Sequence, residues 1–107
     1  MQFDADKAYD ALISSGESWA DAEAAASLLE ETRKSVLAKA MNESPATTVA
    51  AKEMYALASP EYREFVSGMV AARKAANKAK VRYDSAKVLA ELRRSQESTR
   101  RAEMNLR

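Results

Sequence analysis

From Ser59 to the last residue, Arg107, the chain offers no point at which a helix would have to stop. Ser59-Pro60-Glu61 is a helix start: the serine hydroxyl can accept from the first free backbone N–H groups, proline in the first turn forfeits no hydrogen bond, and glutamate suits the positive end of the dipole. Beyond Pro60 there is no other proline and a single glycine, Gly68. The stretch therefore predicts one helix over about 60–106, roughly 70 Å long at 1.5 Å per residue. A compact domain of 107 residues is narrower than that, so the rest of the chain has to lie along the rod.

Spacing says how. Tyr62, Met69, Ala76, Tyr83 and Ala90 recur every seven residues, and Phe65, Ala72, Ala79, Ala86 and Arg93 follow each of them by three. This is a coiled-coil seam whose alanine-rich middle lets a neighbouring helix come close. After Ala90 the seam meets Arg93 and Glu97 and loses its apolar character. Val81, Val88 and Leu92, with Leu89 beside them, form a second apolar line on another face.

Upstream, Asp4 reads as the N-cap of a short helix to Ser14 with Phe3, Ala8 and Leu12 inward, and Ser15-Gly16 reads as its end. Ser18, with Asp21 three positions on, starts a second helix whose Trp19, Ala22, Ala26, Leu29, Arg33, Val36 and Ala40 again alternate threes and fours, with Arg33 the one flaw. A third helix is expected from Ser44-Pro45, with Val49, Ala50, Met54 and Leu57 inward and Tyr55 off that line. The predicted class is all-α: an elongated helical hairpin or bundle, one domain over 1–107, with helices at about 4–14, 18–42, 45–58 and 60–106.

Composition agrees with long helices: 31% of residues are charged, and there are two glycines and two prolines. There is no cysteine and no histidine, which removes disulfides, thiol nucleophiles, an imidazole base and the usual zinc sites. Glu30-Glu31 are adjacent on a helix and point about 100° apart, so they read as solvated surface and not as a catalytic pair. Isolated glycines make no phosphate loop. The expectation is a protein that is not an enzyme, with no catalytic, cofactor or metal residues. No apolar run is long enough to span a bilayer and the acidic N-terminus lacks the basic start of a signal peptide, so a cytoplasmic location is expected.

Charge is unevenly laid out. Residues 1–43 hold nine acidic and four basic side chains, whereas residues 73–107 hold four and eleven. Such a basic tail, which includes Arg93, Arg94, Arg100 and Arg101, can be self-neutralised surface, a contact for an acidic protein patch, or a nucleic-acid contact. Only Tyr83 is aromatic there, so stacking platforms for single strands are missing. Because a second helix of about 25 residues would cover only half of the long one, the remainder predicts a homodimer with Tyr83, Val88, Leu89, Leu92 and Met104 as contacts. Arg93, Arg94, Arg100, Arg101 and Tyr55 are the candidate contacts for a partner or nucleic acid.

The run from Ala79 to Arg107, and within it Thr99-Arg100-Arg101-Ala102-Glu103-Met104, resembles the closing segment of a group of small helical bacteriophage proteins encoded beside single-strand annealing and recombination genes. It departs from that segment at Leu92, close to which the group would carry a tryptophan. The resemblance implies a viral protein inside a host bacterial cell and no particular chemistry. With the residue pattern it gives the expected function: a phage accessory protein that binds a host or phage protein, either supporting recombination or replication or occluding a host nuclease or defence complex. Direct nucleic-acid binding by the basic helix is the alternative.

Overall fold

The computed structural model describes residues 5–106, and the chain is all-α over that range. Three helices follow one another: α1 over Ala5–Asn42, α2 over Val49–Ala58 and α3 over Pro60–Asn105. The long C-terminal helix is unbroken, running on through Gly68 and Asn77. Its start is capped as its sequence dictates, with Ser59 Oγ accepting from the Tyr62 amide at 3.3 Å. Asp4 and Phe3 lie outside the described residues.

Two of the expected boundaries are different. No break occurs at Ser15-Gly16, and the helices expected at about 4–14 and 18–42 are one helix of 38 residues. Ser18 lies inside it and caps nothing, while Ser15 turns its hydroxyl to its own helix, donating to Leu12 O at 3.1 Å. The seam explains the continuity, because Ala8, Leu12, Ser15 and Trp19 keep the alternation of four and three that runs on through Ala22 and Ala26. The next helix starts later than Ser44-Pro45. Ser44 Oγ accepts from the Ala46 amide in a local turn, and the N-cap is Thr48, extended at φ −99° and ψ 151°, whose hydroxyl accepts from the Ala51 amide.

The orientation of α2 also departs from expectation. Its buried residue is Ala56, and Val49, Ala50, Met54 and Leu57 are exposed. The turn into α3 is what aims the helix: the Ser59 amide and hydroxyl both donate to Ala56 O, at 3.1 and 2.7 Å. Ala56 is thereby held inward, and a helix of ten residues has too few turns for its larger apolar side chains to override that.

Contacts gather into two units. Unit 2 comprises residues 22–76, in which α1 and α3 run antiparallel with α2 between them in sequence. Its buried side chains are Ala26, Ala40, Ala56, Tyr62 and Ala76, and Phe65, Met69 and Ala72 of the expected seam are half-buried. Arg33 fits after all, because its Nε donates to the Tyr62 hydroxyl at 3.1 Å while the guanidinium reaches solvent. Arg73 forks between two glutamates one heptad apart on α1, at 2.6 Å to Glu23 and 2.6 and 2.9 Å to Glu30. That fork raises the pKa of Arg73 and holds the Glu30 carboxyl below its ordinary value, chiefly through the hydrogen bonds between them.

Unit 1 combines residues 5–21 of α1 with the end of α3 from Asn77 onward. Its centre is aromatic. The rings of Trp19 and Tyr83 stack with centroids 5.3 Å apart and planes 26° from parallel, and the Lys80 ammonium lies 5.9 Å over the Trp19 ring. Gly16 makes room for this pair: a Cβ there would meet Tyr83 Cε2 at 3.3 Å. The glycine serves ring clearance and not chain reversal, and no described glycine has positive φ.

Candidate functional site

Apart from Tyr55, the functional candidates collect on α3 within unit 1, where one strip of the helix is covered and the rest is not. Ala79 is buried, and Tyr83, Ala86, Ala90 and Arg93 are half-buried. With Gly16 against Tyr83, stepping back along α1 to Ala5 steps forward along α3 to Arg94, since antiparallel helices share one rise per residue. From Arg94 to Leu106 every residue is exposed. The part of α3 left without a helical neighbour among the described residues therefore starts near Ser95, later than the midpoint of the long helix expected from a neighbour of about 25 residues.

Tyr83 does not belong with the proposed dimer contacts. Its ring is spent on Trp19 and on the gap above Gly16, inside its own unit. Val88, Leu89 and Leu92 do stand together on an uncovered side of α3, with 63%, 51% and 53% of their surface exposed. Val81, 64% exposed, extends that side by two turns. Met104 is exposed as well but is turned about 120° around the helix from Leu92 at 100° per residue. It lines an open shallow concavity with Glu97, Arg100 and Arg101, so it shares the arginine face and not the Val88 face.

Arg93 is half-buried where the seam ends, and Arg94, Arg100 and Arg101 are exposed beyond it. These follow from a repeat that counting apolar residues does not find: Arg73, Lys80, Lys87, Arg94 and Arg101 are each seven apart. The first forks between Glu23 and Glu30 and the second sits over Trp19. Arg94, level with Ala5 of α1, and Arg101 beyond it continue the same column. Tyr55, on α2 in unit 2, is half exposed and stands among the exposed Met54 and Leu57, apart from the arginines in sequence and in unit.

A further set was missed because it is small and polar. Val81, Ser85, Val88 and Leu92 are continued at the same alternation of four and three by Ser95, Thr99, Ala102 and Leu106. Ten of the 26 residues from 81 to 106 are charged, and none stands on this line. Every member is exposed. The signal that finds it is the absence of charge at heptad spacing, which a search for large apolar residues passes over.

No described helix is long and apolar enough to cross a membrane. Comparison of the chain with protein families, curated proteins and solved structures returns no match.

Proposed function

We propose that this chain is a non-enzymatic accessory protein that works by binding protein, and that it acts as a homodimer joined through the end of α3. The observation that supports this reading is the exposed group Val88, Leu89 and Leu92 on the side of α3 that α1 leaves uncovered. Fully burying a valine or leucine stabilises by roughly 1.5–3 kcal/mol, and because these are half to two-thirds exposed, six of them across a dimer contribute about 5–10 kcal/mol before losses. Association costs an estimated 4–15 kcal/mol. The two are of similar size, so the dimer is one of moderate affinity that dissociates on dilution. Light scattering across micromolar concentrations is expected to return about twice the 11.8 kDa chain mass, and Val88→Glu with Leu92→Glu to return a single chain of unchanged helicity. A wild-type mass of one chain throughout would end the proposal.

The bacteriophage setting rests on the resemblance of residues 99–104, and within it the job is to assist recombination or replication proteins or to occlude a host nuclease or defence complex inside the bacterial cell. Exposed Arg94, Arg100 and Arg101 support a second reading, direct nucleic-acid binding. Changing those three to glutamine separates the two. Under the protein-binding reading, retention of DNA in a gel shift is weak and unaltered, whereas a DNA-binding module loses affinity and its steep salt dependence.

A further inference from the structure

We infer that the second copy docks on the uncharged line of α3 with the two helices running antiparallel, Leu92 of each copy against Ser95 of the other. This rests on the dimer proposed above and gives it a direction and a register. In that alignment Val88 meets Thr99 of the second copy, Ser85 meets Ala102 and Val81 meets Leu106, so Leu92 lies against a small serine, Ser85 against a small alanine, and the two valines against side chains of similar bulk. The hydroxyl of Thr99 needs no partner across the interface, because it donates to Ser95 O in its own helix at 3.1 Å.

Charge on the two edges of the line selects this arrangement. One edge carries Arg82, Leu89, Gln96 and Glu103, the other Asp84, Glu91, Ser98 and Asn105. In an antiparallel pair each edge meets its own kind, as the edges of α1 and α3 do where Arg73 meets Glu23 and Glu30. Arg82 then faces Glu103 of the second copy, twice by symmetry, and Leu89 faces Gln96. On the other edge Asp84 faces Asn105 and Glu91 faces Ser98. No like charges meet. Within its own helix Arg82 has only alanine, serine and lysine three and four residues away, so it has no acidic neighbour there to satisfy it.

The alternatives are worse matched. A parallel pair puts Asp84 beside Leu89 and Glu91 beside Gln96, gives Arg82 and Glu103 no opposite charge, and stacks Ser85, Ser95 and Thr99 on themselves. Sliding the antiparallel pair by one heptad takes Arg82 away from Glu103 in both directions, and sets Glu91 against its own copy in one and Leu89 against Glu103 in the other. In the favoured register Arg94 and Arg101 stay on the far side of each helix, so the dimer presents two uncovered arginine faces.

The native chain has no cysteine, which makes site-directed disulfides a direct test. Ser85→Cys and Ala102→Cys proteins, mixed in equal amounts in a mild thiol–disulfide buffer, are expected to give the mixed disulfide about tenfold over either self-pair, as the geometry of the bond demands close Cβ atoms. Arg82→Glu and Glu103→Arg are each expected to weaken the dimer by about three- to tenfold, and the double exchange to restore it. A dominant Ser85→Cys self-pair, or failure of the double exchange to restore a dimer that both single changes weaken, overturns the antiparallel register while leaving self-association intact. A chain that stays at its single mass in light scattering overturns the dimer itself.

Discussion

The two units use the same α1 and α3 backbone pairing but close it by different means. Unit 2 is held by small side chains and by polar groups that find each other: Ala26, Ala56 and Ala76 are fully buried, and the Arg33–Tyr62 and Arg73–Glu23–Glu30 contacts lie beside them. Among the described residues, unit 1 has one buried alanine, Ala79, and leans on a single aromatic stack. Many small contacts make a pairing that tolerates the loss of one. A single stack does not, and it leaves most of the surrounding α3 surface for another use.

The largest expected effect follows from that contrast. Trp19→Ala removes the stack and the surface under Lys80, and should destabilise unit 1 by about 3 kcal/mol, the low end for a large aromatic because Trp19 is half-buried. Hydrogen exchange would locate the damage: amides of residues 5–21 and 77–94 are expected to lose protection well before those of residues 22–42 and 60–76. Uniform loss would mean that the two regions do not differ in the way their contacts indicate.

A smaller effect comes from the two glycines, one in each unit and both inside a helix. A Cβ on Gly68 meets nothing within 4 Å, whereas one on Gly16 meets the Tyr83 ring at 3.3 and 3.4 Å. Alanine in an open helix interior is worth about 1 kcal/mol over glycine. Gly68→Ala is therefore expected to stabilise by about that amount in urea denaturation. Gly16→Ala is expected to return none of it, because the ring that must give way is already stacked on Trp19. Equal gains at both positions would show that Gly16 has nothing to do with ring clearance.

Gly16 also shows where sequence reading stops. The fold class, the long helix and its seam were legible because heptad arithmetic depends on spacing alone, and residues from Tyr62 to Ala90 chosen by counting are all buried or half-buried. By local rules Ser15-Gly16 reads as a stop, since glycine is the commonest residue just past a helix end. What decides its role is a ring from α3, and no local rule contains that. Arg33 looked like a flaw for the same reason, until Tyr62 supplied its partner. On α2, fewer than three turns cannot set a phase, so the Ser59 hydrogen bonds to Ala56 decided which side faces inward. At the candidate site, Val88, Leu89 and Leu92 were legible as an apolar line. Tyr83 and Met104 were grouped with them by chemistry, although helix geometry and the Trp19 stack put them elsewhere.

The smallest expected effect tests the polar closure of unit 2 through pH. Hydrogen bonds from Arg73, with its charge, hold the Glu30 carboxyl below the ordinary value of 4.5 despite some opposing desolvation. Below that value an unfolded chain binds a proton at Glu30 that the folded chain still refuses, so lowering the pH favours unfolding there. The stabilisation is fully present above the ordinary value and disappears as pH falls through the lowered one. Both partners are partly exposed, with 31% and 41% of their side-chain surface accessible, so solvent and salt screen the pair and its contribution is modest. Comparing Glu30→Gln with the parent chain should show a stability gap that is constant near neutrality and closes in acid, and that shrinks when Arg73→Gln is introduced into both. A gap that persists unchanged in acid, or survives the loss of Arg73, would move the stabilising role from this fork to the alanine packing beside it.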